Sequence, residues 1–168
     1  MEKDVFLGHL PKNKHLKNLL QTAITESNQD FYPPLIPRID IHNYVDKITK
    51  EAFLIAAWTG AKNAPEKILA LYVGYSHKGF EYAFCPYVWV SSDCRACGIG
   101  KKLHALAVDY AKKDDKKGIR AKTWIKNNKN TLNFYKKLGY KFSAKYLEKN
   151  LNIYKIDLTL DFENPKKA

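Results

Sequence analysis

One stretch limits the folds open to this chain more than any other. It runs Val88-Trp89-Val90-Ser91-Ser92-Asp93-Cys94-Arg95-Ala96-Cys97-Gly98-Ile99-Gly100-Lys101. It reads as a buried strand, then a tight turn with two glycines, then the opening of a helix. From Ile99 the apolar residues recur at Leu103, Leu106, Ala107, Tyr110 and Ala111, one face of an α-helical period. The glycines therefore sit where a helix begins. The first amides of a helix have no carbonyl four residues back and point outward. The helix dipole adds partial positive charge at the same end. Glycine lets a bulky anion approach the bare main chain. The combination predicts a phosphate site.

A second stretch lies downstream: Asn128-Lys129-Asn130-Thr131-Leu132-Asn133-Phe134-Tyr135-Lys136-Lys137-Leu138-Gly139-Tyr140. A strand expected over 119–125 separates the two. There Ile119, Ala121, Thr123 and Ile125 alternate with Arg120, Lys122, Trp124 and Lys126. Asn128 reads as a helix cap and Gly139 as the helix end.

The spacing Arg95-x-x-Gly98-x-Gly100 resembles the acyl-CoA-binding signature of the GNAT N-acetyltransferases, Gln/Arg-x-x-Gly-x-Gly/Ala. The downstream stretch resembles that family's second signature, Asn-x-x-Ala-x-x-x-Tyr closed by Leu-Gly-Phe. Here Thr131 replaces the alanine and Tyr140 the phenylalanine. The resemblance covers roughly residues 67–142. It implies an α/β fold with a mixed, mostly antiparallel central sheet of about six to seven strands flanked by about four helices. It implies a single domain over 1–162, with an acceptor side over about 1–60, an acetyl-CoA core over about 67–142, and a polar tail over 163–168. It also implies acetyl-CoA as co-substrate. The diphosphate would be held at Arg95, Ala96, Cys97, Gly98, Ile99, Gly100 and Lys101. The pantetheine would pair with the main chain of Val88, Trp89 and Val90, and Asn128 would touch the coenzyme. Tyr135 would be the general acid, donating to the leaving thiolate. Tyrosine, with an ordinary pKa of about 10, is protonated at neutral pH. Without the resemblance, Tyr135 reads as a core aromatic beside Leu132 and Leu138.

The base that frees the amine is less legible. Glu81, His77 and Asp93 are near the central strands, and Glu81 is best placed by strand position. The segment Asp30-Phe31-Tyr32-Pro33-Pro34-Leu35-Ile36-Pro37-Arg38 is a stiff, proline-rich loop. In the family such a segment walls the acceptor site, which points to Phe31, Tyr32 and Arg38 as substrate contacts. The alternative is a loop that only packs on the sheet.

The rest of the chain reads as strands over 5–10, 53–59, 68–75, 81–90, 140–143 and 151–160. Helices are expected over 12–28 and from Asp40 or His42 onward, with a turn over 60–66 and a helix break at Gly118. Pro86 inside a strand predicts a bulge or an edge.

At 168 residues the chain is long enough for one core without disulfides. It has no long apolar run and no signal-peptide pattern, so a cytoplasmic location is expected. The net charge of +12 suits anionic ligands. The lysines are spread out rather than gathered with aromatics, which argues against nucleic acid. Like-charge repulsion argues against a strongly cationic polyamine or basic peptide as acceptor. Cys94 and Cys97 lack a second ligand pair at zinc spacing, so no metal is expected. With Cys85 they read as free thiols.

The function expected is transfer of an acetyl group to a primary amine, first of a small molecule such as an amino sugar. The alternatives are a protein N-terminus or lysine as acceptor, or a CoA-sensing domain without turnover. The last two strands leave open pairing across a homodimer.

Overall fold

A computed structural model of the chain describes residues 4–31, 33–36, 38–124 and 129–163. These form β1 (Val5–His9), α1 (Leu16–Ser27), α2 (Ile41–Glu51), β2 (Phe53–Ala61), β3 (Ala64–Tyr75), β4 (Tyr82–Val90), α3 (Ile99–Lys113), β5 (Gly118–Trp124), α4 (Lys129–Lys137), β6 (Lys141–Glu148) and β7 (Ile153–Asp161). The seven strands form one sheet in the order β1-β2-β3-β4-β5-β7-β6. β4 runs parallel to β5, while β1–β2, β2–β3, β5–β7 and β6–β7 are antiparallel. This is the mixed, mostly antiparallel α/β sheet expected. Among the described residues no helix is long and apolar enough to cross a membrane.

The chain divides into two compact units, Met1–Tyr75 with Tyr87–Ala107, and Ser76–Pro86 with Val108–Ala168. In the first, Phe53 through Trp58 are all buried, as a near-continuous apolar run requires when both strand faces are covered. α1 lies against α2 and β3, and α2 against β2. The inner side of α1 carries Leu16, Leu20, Ala23 and Ile24, and that of α2 carries Val45 and Ile48. Asp40 opens α2 by accepting from the Asn43 amide at 2.9 Å. α1 starts later than expected, at Leu16. Asn13 stands just ahead of it and accepts the His15 amide at 2.9 Å, which holds the chain in a local turn.

The turn expected over 60–66 is far shorter. β2 continues to Ala61 and β3 begins at Ala64. Gly60 and Pro65 are paired strand residues beside a register shift. Gly60 has φ +113°, and a Cβ there would lie 2.8 Å from the Ala64 carbonyl oxygen. The two turn-forming residue types therefore mark a bulge rather than the reversal.

In the second unit the parallel ladder pairs Tyr82–Cys85 with Gly118–Ala121. Pro86, which has no amide hydrogen to donate, follows the last pair. β5 then pairs along its length with β7. Ile119, Ala121, Ile156 and Leu158 are buried between these strands and their cover. Gly118 does not break the preceding helix. α3 ends at Lys113, and Asp115, at φ +54°, makes the turn. Gly118 is needed for a different reason: a Cβ there would stand 2.0 Å from the Leu160 carbonyl oxygen. β6 is also longer than expected. It reaches Glu148 and is exposed over most of its length, so its apolar signal is weak.

Gly118→Ala must push two paired backbones apart. It should lower the unfolding free energy by about 1–3 kcal/mol, read as a reduced urea midpoint at unchanged slope.

Candidate active site

In the first unit the phosphate-loop sequence has the anticipated form. The Ser91 amide donates to the Leu69 carbonyl at 2.8 Å as β4 ends. A short 3-10 turn over Ser92–Cys94 follows, and Arg95 is extended. Ala96 at φ +62° and Gly98 at φ +76° then reverse the chain. Lys102 donates to the Gly98 carbonyl at 3.1 Å, closing the first turn of α3. The amides of Ile99, Gly100 and Lys101 stand ahead of that ladder. Arg95, Ala96, Cys97, Gly98 and Lys101 are exposed, and Ile99 and Gly100 half-buried. A Cβ built on Gly98 meets nothing within 4 Å. A diphosphate fits such a loop: the backbone is open, the helix start is bare, and Arg95, Lys101 and Lys102 are cations within or next to it in the chain.

The loop is anchored from β4, whose residues alternate between half-buried and buried. Tyr87 and Trp89 point inward. The Tyr87 hydroxyl donates to Ser27 Oγ at 2.8 Å, and Ser27 donates on to the Ile24 carbonyl at 2.7 Å. Burial pushes the Tyr87 hydroxyl far above its ordinary pKa. Phe31 stacks on the Tyr87 ring at 5.2 Å between centroids. The Trp89 indole N–H donates to Asp30 Oδ2 at 2.8 Å. The same Asp30 oxygen lies 2.7 Å from Arg95 Nη2, and Arg95 Nε donates to the Val90 carbonyl at 2.9 Å.

Asp30 is the residue that sequence reasoning missed. Its partners lie about sixty positions downstream, and no local pattern reports such a pair.

Of the acceptor candidates, Phe31 sits against β4 as described. Arg38 turns back on its own loop, donating from Nε to the Pro34 carbonyl at 2.6 Å and from Nη2 to the Pro33 carbonyl at 2.8 Å. Its burial lowers its pKa. Tyr32 and Asn128 lie outside the described residues.

In the second unit Tyr135 is buried, at 6% exposure. The end of α4 holds it in place. Gly139, at φ +87°, donates its amide to the Lys136 carbonyl at 3.0 Å, and the Tyr140 amide donates to the Tyr135 carbonyl at 3.1 Å. This paired closure is what a C-terminal glycine permits. The Tyr135 ring meets Tyr140 edge-on at 5.0 Å, and its hydroxyl bonds the buried Cys85 thiol. Burial first, then the Cys85 group, holds the Tyr135 hydroxyl protonated well above its ordinary pKa.

Glu81 stands just ahead of β4 and is ion-paired with Lys117, whose pKa it raises. Among the described residues no three His, Cys, Asp or Glu side chains are grouped to hold a metal ion.

On α3, His104 is buried at 6% exposure, and desolvation lowers its pKa from 6.5 to about 4. The unfolded chain then binds this proton more readily than the folded one between those two values. The stability involved is present above pH 6.5 and is lost as pH falls toward 4. At pH 5 the loss is roughly 2 kcal/mol. Urea midpoints at pH 7 and pH 5 should fall further apart for the parent chain than for His104→Gln. Gly98→Ala forces an alanine to a positive φ at a cost of about 1–2 kcal/mol. It should weaken acetyl-CoA binding roughly tenfold by calorimetry.

A family model described as the acetyltransferase (GNAT) family matches residues 16–140. Comparison with curated proteins finds no match. Among solved structures, an aminoglycoside 6'-acetyltransferase type Ii superposes with a TM-score of 0.74 at 16% identity, over 95% of this chain and 99% of that one. The NatC complex bound to Gag peptide and CoA gives 0.72 at 18% identity, over 95% and 99%. A candidate streptothricin acetyltransferase from Bacillus anthracis strain Ames, in complex with acetyl coenzyme A, gives 0.58 at 23% identity. That match covers 67% of this chain and 64% of the other. With the family model spanning most of the sequence, the chain belongs to the GNAT family and is an acetyl-CoA-dependent N-acetyltransferase.

Proposed function

We propose that the chain moves the acetyl group of acetyl-CoA to a primary amine of a small molecule, such as an amino sugar, with Tyr135 as general acid. The observation that carries the proposal is the outward-turned start of α3. A bare helix N-terminus, an open glycine at positive φ and adjacent cations form the part of an acetyltransferase that binds the diphosphate. Acetyl-CoA supplies an acyl group already activated as a thioester.

The roles assigned to this chain's residues follow. Arg95 through Lys101 bind the diphosphate, with Asn128 as a further contact. The main chain of Val88, Trp89 and Val90 takes the pantetheine as a short strand addition. Tyr135 donates a proton as the thiolate leaves, and Glu81 takes the proton from the attacking amine once it gives up Lys117. Phe31, Tyr32 and Arg38 border the acceptor. Residues 1–162 form one catalytic domain working in the cytoplasm, with about 1–60 on the acceptor side and about 67–142 on the cofactor side.

The similarity to an aminoglycoside acetyltransferase supports a small-molecule acceptor. The similarity to the NatC complex, bound to a peptide, supports a second reading in which the acceptor is a protein N-terminus. A thiol-release assay with acetyl-CoA across amino sugars, simple amines and peptides separates the two. Release with amino sugars alone supports the first reading, and release with peptides alone overturns it. Tyr135→Phe removes only the hydroxyl. It should lower kcat by about 10²–10³ while acetyl-CoA still binds. Full activity in that variant would remove Tyr135 from the chemistry.

A further inference from the structure

We propose that Asp30 is an internal anion competing with the cofactor diphosphate for Arg95, so that acetyl-CoA binding transfers the Arg95 guanidinium from Asp30 to the diphosphate. This rests on the diphosphate site proposed above and adds a residue that neither family signature contains.

The geometry separates two jobs at Arg95. Position comes from the main chain, because Nε donates to the Val90 carbonyl at 2.9 Å and that carbonyl belongs to the last residue of β4. Charge compensation comes from Asp30, whose Oδ2 lies 2.7 Å from Nη2. Taking Asp30 away therefore leaves the guanidinium tethered to the loop and unneutralised.

Asp30 itself has a second anchor. Its Oδ2 accepts the Trp89 indole N–H at 2.8 Å, and Trp89 is almost wholly buried. The carboxylate is thereby fixed beside the phosphate loop. An arriving diphosphate meets a like charge there, and its binding free energy is reduced by the work of taking Arg95 from that charge. The Asp30–Arg95 pair is itself partly exposed, with side chains at 26% and 48%, so breaking it costs little. A diphosphate with several charges and helix amides in reach wins that competition. Displaced from Arg95, Asp30 keeps the indole.

The test is calorimetric titration of acetyl-CoA into the full chain and its Asp30→Asn variant. Asparagine can still accept from the Trp89 indole through its carbonyl oxygen but carries no charge. Binding should tighten about two- to fivefold, the size of one partly exposed ion pair. In an Arg95→Gln background, adding Asp30→Asn should tighten binding by much less, since only the direct repulsion between Asp30 and the diphosphate is left to remove. A merely structural role for Asp30 predicts the opposite sign, with the single variant binding more weakly and its urea midpoint falling. Unchanged or weaker binding in Asp30→Asn overturns this proposal alone, as does an equal gain in the Arg95→Gln background. A parent chain that binds no acetyl-CoA overturns the diphosphate site and this proposal together.

Discussion

Between Val90 and Ile99 the main chain must leave a buried strand and enter a helix with its first amides facing outward. That single requirement shapes the first unit. Two residues at positive φ, Ala96 and Gly98, accomplish the reversal. For Gly98 the conformation is free of side-chain cost, whereas for Ala96 it stores about 1–2 kcal/mol. Such strain persists only where the surroundings over-determine it. Here they do. Leu103 and Ala107 bury the inner side of α3 completely, and Tyr87 and Trp89 lock the strand end. Any relaxation of the loop works against one or the other, so displacing it takes more strain than Ala96 alone supplies.

β4 contributes through its alternation. Its inward residues are Ala83, Cys85, Tyr87 and Trp89, and three of them carry a polar atom at the tip of an otherwise apolar body. Each is satisfied within its own unit: Cys85 with the Tyr135 hydroxyl, Tyr87 with Ser27, Trp89 with Asp30. Tyrosine and tryptophan are suited to this because they bury large area while keeping one directional bond. The strand thus holds the turn after α1 to the phosphate loop through two hydrogen bonds and a ring stack. Losing either bond would leave a buried polar atom without its partner.

What the sequence made legible was local. The strand–glycine–helix order, the start of α2 at one of Asp40 and His42, the termination of α4 at Gly139 and the alternation along β5 all follow from patterns a few residues long. Boundaries failed where a residue had a second use. Gly60 and Pro65 look like turn formers but accommodate a bulge, and Gly118 looks like a helix breaker but admits the Leu160 carbonyl. β6 reads short in the sequence because its apolar residues are exposed, so period and burial do not agree. Of the proposed site, the strand–turn–helix form of the loop over 91–101 was readable because its geometry is carried by consecutive main-chain atoms. Asp30 was not, because its role depends on partners brought in by folding. The turn of Arg38 back onto its own loop was hidden for the same reason: nothing in a proline-rich loop says which carbonyls its arginine will reach.

The environment of Tyr135 constrains the proposed proton donation. A thiol has an ordinary pKa of about 8.5, well below that of a tyrosine whose hydroxyl is pushed above 10 by burial. Full transfer of the proton to a free thiolate would therefore run uphill. The hydroxyl is better matched to sharing its proton through a hydrogen bond that strengthens as charge builds on sulfur, so that the departing thiolate is stabilised before it is free. Burial serves that role in two ways. It keeps the donor protonated across the neutral range, and it strengthens the bond by excluding water from around it. In the proposed mechanism the Cys85 thiol beside it is the partner that the leaving sulfur would have to replace.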